Sequence, residues 1–363
     1  MKKIYCLTLI LLSFPVLSQK TVIDSLSNKT ISFAEMYSEK GEIIGITDYN
    51  GEISQEQLTK INKLNIKQIN FRHNNYQNKN ISLKDLFSSN NIVLIPFQMN
   101  KINKLDEVIV LSHNKKKYIK LTAYFRNIQF NNNQPQYYMD GIVEYYISTK
   151  NGKAKINVLQ NRSLKDSDIK QIDEKGLIRL NFNIAGVPSF GNFIDYQKLE
   201  KDYNINWING FSTVKKDNLE IGKIRNENEN TFLDMEIYSN KNPKVMSLLG
   251  TESILENYTV NAIYHKNDNI NKLKDLLFLK EYREYNIKQK KEVVYTHINC
   301  INEVYIIDKE FTDVEAKSES NFYSFINKSN YEDNFWEKAN NNYVTPIPET
   351  VKLFIEKKLN ELK

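Results

Sequence analysis

Residues 118–130 read YIKLTAYFRNIQF, and residues 136–147 read QYYMDGIVEYYI. Both segments are rich in β-branched and aromatic residues, which fit the half-buried surface of a pleated sheet. The five residues between them, Asn131-Asn132-Asn133-Gln134-Pro135, are typical of a turn. Together the three segments predict a β-hairpin with two long strands.

Further strand-like segments follow the hairpin, with turn residues between them. They are residues 155–159, 219–225, 231–238, 258–265, 276–288, 291–299 and 302–307. Such a succession predicts an antiparallel meander rather than the alternating strands and helices of a parallel sheet. A helical pattern over residues 190–203 interrupts it.

The chain is predicted to end in an amphipathic helix over residues 349–362. Pro348 stands near its start, where a missing N–H costs little. The apolar residues recur at spacings of three and four and share one face: Val351, Phe354, Ile355, Leu359 and Leu362. We expect this face to pack across the antiparallel sheet. The alternative is a helix that lies on an anionic membrane surface.

Residues 20–112 show a different pattern, with short strands at close spacing and turns between them. The strand-like segments are residues 22–23, 31–37, 42–47, 66–71, 92–95 and 105–111. Asp48-Tyr49-Asn50-Gly51 predicts a turn in which Gly51 takes the left-handed conformation and Asp48 accepts backbone N–H groups. The pattern predicts a small β-sandwich.

Two motifs in this region carry a family resemblance. They are Thr47-Asp48-Tyr49-Asn50-Gly51 and Leu105-Asp106-Glu107-Val108-Ile109-Val110. With a first strand that ends at Asp24, and with Ile31-Ser32-Phe33-Ala34, the region resembles the carboxypeptidase regulatory-like domain of Bacteroidota envelope proteins. The family's usual glycine before Ala34 is Phe33 here. The resemblance implies a seven-stranded β-sandwich of the transthyretin (prealbumin) type, whose motif residues are structural and not catalytic.

The N-terminus has the layout of an export signal. Met1-Lys2-Lys3 is positive, residues 4–16 are apolar, and small Ser18 precedes the expected cleavage site. The apolar run is shorter than the roughly 20 residues that span a bilayer. We therefore predict a signal peptide over residues 1–18 and a mature chain with no transmembrane segment. The protein is expected to be exported, to the periplasm, to the outer membrane or into the medium.

The 363 residues, 40% of them hydrophobic, are enough for two domains with sizeable cores. We place the β-sandwich at residues 19–112, a linker at 113–117, and an α+β domain of unknown function at 118–363. That second domain is predicted to combine the antiparallel sheet with the C-terminal helix. The fold class is therefore expected to be mainly β.

Residues with chemical potential are few and scattered. The four histidines are His73, His113, His265 and His297, and none has the spacing of a standard zinc motif. This leaves metal binding by distant residues as an alternative. His297 and Cys300 are three apart on a predicted strand and should face opposite ways. We identify no catalytic, cofactor-binding or metal-binding residue, and we expect Asp234 and Glu236 to share a solvated face.

Aromatic residues are the one enriched class, with 22 Tyr and 18 Phe. Tyr137, Tyr138, Tyr145 and Tyr146 form a candidate binding surface, because tyrosine rings stack on sugars and line protein interfaces. The alternative is strand packing. The small net charge of +6 is spread along the chain, which argues against nucleic acid as a partner.

These observations predict an exported cell-envelope protein that binds or assembles with another envelope component. The family resemblance adds a possible association with outer-membrane transport. Its expected partner is an envelope protein or a glycan, with no cofactor. The alternative function is a secreted hydrolase that acts on glycans, with its site in the second domain. A binding protein should present an exposed aromatic patch or a sheet edge, and an enzyme should bring Asp, Glu or His residues together.

Overall fold

The computed structural model describes most of the chain. The described residues are 19–97, 116–166, 186–188, 203–208, 211–227, 229–239, 241, 243–248, 250–266, 273–290, 292–314, 328–342 and 344–363. The predicted signal peptide (residues 1–18), residues 190–202 of the predicted helical pattern and most of the linker lie outside these ranges. So does the motif that contains Leu105, Asp106, Glu107 and Val108.

The strands before residue 98 belong to an N-terminal unit. They are β1 (Lys20–Asp24), β2 (Glu35–Ser38), β3 (Ile43–Ile46), β4 (Glu52–Ile53), β5 (Gln68–His73), β6 (Tyr76–Ser82) and β7 (Asn91–Leu94), with helices α1 (Gln55–Lys63) and α2 (Leu83–Ser88). One sheet has the order β4-β1-β7, in which β1 and β7 are parallel, and the other has the order β3-β2-β5-β6. Side chains from both sheets and both helices meet in one apolar core that includes Val22, Met36, Leu58, Phe71 and Leu86.

Helix α1 follows the strand β4 where the sequence pattern predicted neither element. Ser54 caps it by accepting a hydrogen bond from the Gln57 backbone N–H, and the Gln57 side chain returns a bond to the Ser54 backbone. This capping box satisfies two N–H groups that the first helical turn leaves without partners. Leu58 and Ile61 then face the core.

The remaining strands form one large sheet. They are β8 (Tyr118–Asn131), β9 (Gln134–Ser148), β10 (Ala154–Asp166), β11 (Asn204–Ile208), β12 (Phe211–Lys216), β13 (Leu219–Glu227), β14 (Asn230–Tyr238), β15 (Lys244–Leu248), β16 (Thr251–His265), β17 (Leu276–Gln289), β18 (Thr296–Thr312) and β19 (Leu359–Glu361). The order is β11-β12-β13-β14-β16-β17-β18-β8-β9-β10-β19, and β15 pairs with β16 beside this path. Every pairing in the sheet is antiparallel, so the predicted mainly β, antiparallel fold is confirmed.

The predicted hairpin corresponds to β8 and β9. Its turn places Asn132 and Asn133 at φ values of 49° and 72°. Asparagine tolerates this left-handed conformation better than most residues, which explains the run of asparagines. Of the strand predictions at residues 291–299 and 302–307, residues 296–299 and 302–307 belong to the single long strand β18, whereas residues 292–295 precede it.

The two faces of the large sheet have different surroundings. On β8, Leu121, Ala123 and Phe125 point to a face that carries an extended apolar cluster. Tyr124, Ile128 and Phe130 point to the other face, which we call the docked face because the N-terminal unit and the C-terminal segment pack on it. The alternation follows from the two-residue period of a strand.

The C-terminal segment contains helices α3 (Phe335–Asn342) and α4 (Glu349–Lys358). Val351 and Ile355 of α4 pack on Ile128 and Phe130 of the docked face, as expected from the amphipathic pattern. The helix ends before the predicted residue 362, because residues 359–361 form β19 and pair with the edge of β10. Backbone pairing at a sheet edge replaces the last helical turn. Within the described part of the chain, no helix has the length and hydrophobicity needed to cross a bilayer.

Candidate functional site

A group of buried charges lies where the N-terminal unit meets the docked face. Arg72 of β5 donates from Nη1 to both carboxylate oxygens of Glu35 on β2, at 2.8 and 2.9 Å. Its Nη2 reaches across to Glu303 of β18, at 2.7 Å. Arg126 of β8 donates from Nε to the other oxygen of Glu303 at 2.8 Å, and Lys280 Nζ lies 2.5 Å from Glu35. We call these five residues the buried ion cluster.

Backbone carbonyls of the C-terminal segment complete the donor and acceptor pairing of this cluster. Arg126 Nη2 donates to Thr345 O at 2.8 Å, and Arg72 Nε donates to Pro346 O at 3.0 Å. The Thr345 hydroxyl in turn donates to Asn74 O. The cluster therefore joins three parts of the chain: the N-terminal unit, the large sheet and the segment before α4.

The electrostatics of the cluster favour ionised carboxylates. Burial raises the pKa of Glu35, but Arg72 and Lys280 outweigh it and hold that pKa at about 2. The pKa of Glu303 is likewise lowered, because Arg126 and Arg72 outweigh the effect of burial. A general acid or base works best with a pKa near the operating pH. These two carboxylates are therefore suited to holding the interface and not to proton transfer.

Two other buried carboxylates also have an arginine partner that compensates their negative charge. Asp140 accepts from Arg162 Nη2 at 2.7 Å and from the hydroxyl of Tyr138 at 2.8 Å. Glu281 lies on the face opposite the docked face, where it accepts from Arg283 Nη2 at 3.0 Å and from the Tyr258 hydroxyl at 2.7 Å. Asp140 and Glu281 thus each have an arginine partner of their own.

The expectation for Asp234 and Glu236 is wrong in part. Asp234 is buried and accepts from Arg225 Nη2 at 3.2 Å, because the N-terminal unit covers this part of the docked face and places Ser32 against it. Glu236 is half-buried, and its pKa is raised to about 7 by burial and by the nearby charge of Asp48. These carboxylates are therefore not solvated as the sequence pattern suggested.

The predicted aromatic surface is also corrected. Tyr137, Tyr138, Tyr145 and Tyr146 are all buried. Tyr138 packs on the docked face, and Tyr145 packs in the apolar cluster of the opposite face. Both faces of β9 are covered, so alternation along the strand does not expose any of the four rings. The strand-packing alternative describes them.

The turn over residues 48–51 depends on the side chain of Asp48 and on the left-handed conformation of Gly51. Asp48 Oδ1 accepts from the backbone N–H groups of Asn50 and Glu52, at 2.9 and 2.8 Å. Gly51 has φ of 77°, and a Cβ there would lie 2.8 Å from Ile31 O. Asp48 and Gly51 therefore have a structural role in the N-terminal unit.

Cys300 and His297 point to opposite faces of β18, as their spacing predicts. Cys300 is buried, and burial raises the pKa of its thiol to about 11. Its neighbour is the amide of Asn127, at 3.4 Å. Such a thiol is not activated as a nucleophile.

Three side chains of the docked face come together at the far end of strands β16, β17 and β18. One donor atom from each of Glu256, Glu284 and His297 lies within 4.8 Å of the others. His297 Nε2 is 3.1 Å from Glu284 Oε1, and these two side chains are 25% and 21% exposed. Burial and the charge of Glu284 raise the pKa of Glu256. Within the described ranges, these are the residues with the donor types and spacing to hold a metal ion.

Sequence reasoning missed this group because its members are far apart in the chain. Glu284 pairs in register with Asn257 on one side and Asn299 on the other. A bulge between Leu255 and Asn257 turns Glu256 toward Glu284. A bulge of this kind leaves no recognisable spacing in the sequence.

Strand β15 has a different character from the rest of the sheet. All five of its residues are exposed, including Val245 at 62%, Met246 at 47% and Leu248 at 67%. Among the residues that the structure describes, β15 pairs with β16 alone. Its second edge is therefore not covered by any described strand.

Comparisons with known proteins give no further guide to the site. No family model matches the chain, and no curated protein matches it.

Proposed function

We propose that this chain is an exported cell-envelope protein that binds or assembles with another envelope protein, and that β15 is its binding edge. The observation that carries the proposal is the exposed strand itself. A strand with an unpaired edge presents a row of N–H and C=O groups to which an extended segment of another chain can add. Apolar side chains on both faces of β15 would add contact area on either side of the new strand.

The side chains of β15 distinguish it from the protected edge strands of most soluble proteins. Edge strands in soluble proteins are usually protected by charges, proline or a covering element. In β15 only Lys244, at its start, carries a charge, and Val245, Met246 and Leu248 are apolar. An exposed, apolar edge of this kind is typical of a site that a partner covers.

We further propose that the N-terminal unit is a carboxypeptidase regulatory-like domain with a transthyretin-type sandwich. Its seven strands in two sheets around one core support this assignment. The Asp48 turn, which is part of the family motif, adds to that support. In this proposal the unit is a structural support for the large sheet, because the buried ion cluster attaches it there.

Four buried carboxylates lack the properties of a glycosidase pair, whereas Glu236, with its pKa raised to about 7 near Asp48, keeps the hydrolase as the second candidate function. A glycosidase needs one carboxylic acid with a raised pKa beside a second, ionised carboxylate. Glu35 and Glu303 are instead held ionised by cations, and Asp140 and Glu281 each have an arginine partner. A protein partner is favoured over a glycan, because the four predicted tyrosine rings are buried.

Site-specific photo-cross-linking in the native envelope tests the proposal. A photoreactive residue in place of Ser247, in the centre of β15, is expected to give a discrete protease-sensitive adduct. The double variant Val245→Lys, Leu248→Lys should abolish that adduct, because charges on the edge oppose strand addition. The matched control carries the same photoreactive residue at Leu26, which is 81% exposed on the N-terminal unit.

Two results would count against the proposal. One is an adduct from position 247 that persists in the lysine variant or forms equally well from position 26. The other is release of soluble sugars from envelope glycans by the purified chain, which would support the hydrolase alternative.

A further inference from the structure

We propose that Glu256, Glu284 and His297 form a binding site for a divalent transition-metal ion, with zinc as the best match to the donor set. The three residues lie on three neighbouring strands, β16, β17 and β18, so one ion would connect them. Carboxylate oxygen and imidazole nitrogen are both common zinc ligands. This inference does not depend on the proposed role of β15.

The hydrogen bonding of His297 carries the argument. Its Nδ1 lies 3.0 Å from Asn286 Oδ1, an atom that can only accept a hydrogen bond. Nδ1 therefore donates its N–H to Asn286, and Nε2 is the ring nitrogen that faces Glu284 Oε1, at 3.1 Å. The imidazole is thus held with one nitrogen bonded behind the group and the other directed into it, which is the orientation of a metal-ligating histidine.

Asn286 has the role expected of a residue behind metal ligands. Its Oδ1 accepts from His297, and its Nδ2 donates to Glu256 Oε1 at 2.5 Å. One amide thus orients two of the three proposed ligands. In metalloproteins, a ligating histidine commonly donates its other ring N–H to an oxygen in this manner.

The distances between the proposed ligand atoms also fit a tetrahedral zinc site. Ligand atoms in a tetrahedral zinc site are about 3.4 Å apart, given metal–ligand distances of about 2.1 Å. The distance of 3.1 Å between His297 Nε2 and Glu284 Oε1 is close to that value. The donor atom of Glu256 lies within 4.8 Å of the other two, so a side-chain rotation would bring it into the site. Three protein ligands leave one tetrahedral position for water.

The charge balance around the group favours a cation over a simple ion pair. Glu256 and Glu284 supply two negative charges, and Glu56 of α1 adds to the negative potential at Glu256. Lys60 of α1 is the cation that interacts with Glu284, but its Nζ is directed to Ile44 O and Asn133 Oδ1. A divalent ion would bring two positive charges directly to the two carboxylates.

Zinc titration of the full-length mature chain tests the proposal, with a chromophoric chelator as competitor. We expect one equivalent of zinc to bind to the wild-type chain after chelator treatment. His297→Ala and Glu284→Gln should each weaken binding at least 100-fold, because each removes a ligand. Asn286→Ala should weaken it about 10-fold, as is typical when a residue behind a ligand is removed.

His265→Ala is the matched control. His265 is an exposed imidazole at the end of β16, on the same strand as Glu256 but outside the group, and its removal should leave zinc affinity unchanged. Retention of wild-type affinity in both His297→Ala and Glu284→Gln would overturn the proposal. So would an equal loss of affinity in His265→Ala.

X-ray absorption of the zinc-loaded wild-type chain provides a test that needs no variant to fold. We expect one imidazole and otherwise oxygen ligands around the metal. A spectrum with oxygen ligands alone would show that zinc binds to surface carboxylates elsewhere, and the proposal would be wrong.

Discussion

Two groups of charged side chains lie on the docked face of the large sheet, and they differ in how their carboxylates are compensated. In the buried ion cluster, two carboxylates have three cationic partners and backbone acceptors beside them. In the Glu256–Glu284–His297 group, two carboxylates share one imidazole at the edge of the covered area. The first group is fully paired within the chain, and we assign the second to the binding of an added cation.

This difference in charge compensation distinguishes carboxylates that stabilise the fold from carboxylates that are available to bind a ligand. Removal of charges from water is costly, so a buried cluster persists only when its members are paired and hydrogen-bonded. A half-buried group can tolerate incomplete pairing because water solvates it until a ligand arrives. The fully paired carboxylates are therefore assigned to the interface, and the incompletely paired ones to ligand binding.

Arg72→Met should lower the free energy of unfolding more than any other substitution considered, because it removes a cation from the buried ion cluster. The substitution leaves Glu35 and Glu303 buried with one partner fewer, and loss of one partner of a buried pair costs about 3–5 kcal/mol. We expect the free energy of unfolding from urea titration to fall by about that amount. Lys116→Met, which removes an exposed pair with Asp313, should change the free energy of unfolding far less. Equal effects of the two substitutions would contradict the assignment.

Glu236 is a third, half-buried case, in which burial and the charge of Asp48 outweigh the one cation, Lys241, that lowers its pKa. Its pKa of about 7 is above that of an exposed glutamate, so ionisation is less favourable in the folded chain. The contribution of Glu236 to stability should therefore fall as the pH rises from about 4.5 to 7. Glu236→Gln should raise the free energy of unfolding by about 2 kcal/mol at pH 8 and by much less at pH 5.

Glu332→Gln is the control for this pH dependence. Glu332 is exposed in the C-terminal segment, and its substitution should change stability by less than about 0.5 kcal/mol at either pH. A Glu236→Gln variant with the same stability change at pH 5 and pH 8 would show that ionisation is not the cause.

The smallest effect is expected for His297→Ala in metal-free solution. The His297–Glu284 pair is partly exposed, and such pairs contribute about 0–1 kcal/mol. The thermal unfolding of metal-free wild-type and variant chains should therefore be nearly the same. Zinc at about 100 times its dissociation constant should stabilise the wild-type chain by about 2.7 kcal/mol and the variant by much less. A large loss without metal would instead place His297 with the structural charges.

Local sequence patterns predicted the elements that depend on neighbouring residues. The hairpin of β8 and β9, the turn at Asp48 and the apolar face of α4 all follow from short-range periodicity or turn chemistry. Helix α1 was not predicted, although Ser54 and Gln57 have the spacing of a capping box.

Features that depend on register and coverage could not be predicted in this way. The tyrosines of β9 have the composition of a binding surface, and only the packing of both faces shows that they are buried. Arg72 and Glu303 are far apart in sequence and meet because the N-terminal unit packs on β18. The approach of Glu256 to His297 likewise requires the bulge in β16.

Hydrogen exchange over β15 reports on the proposed binding edge itself, because strand addition must protect backbone N–H groups. The labelled full-length chain would be measured alone and with detergent-solubilised envelope proteins. We predict slower exchange over residues 244–248 in the mixture, no change around Leu26, and no protection in the Val245→Lys, Leu248→Lys variant. Unchanged exchange over β15, while the envelope proteins bind the chain, would contradict the claim that this strand is the binding edge.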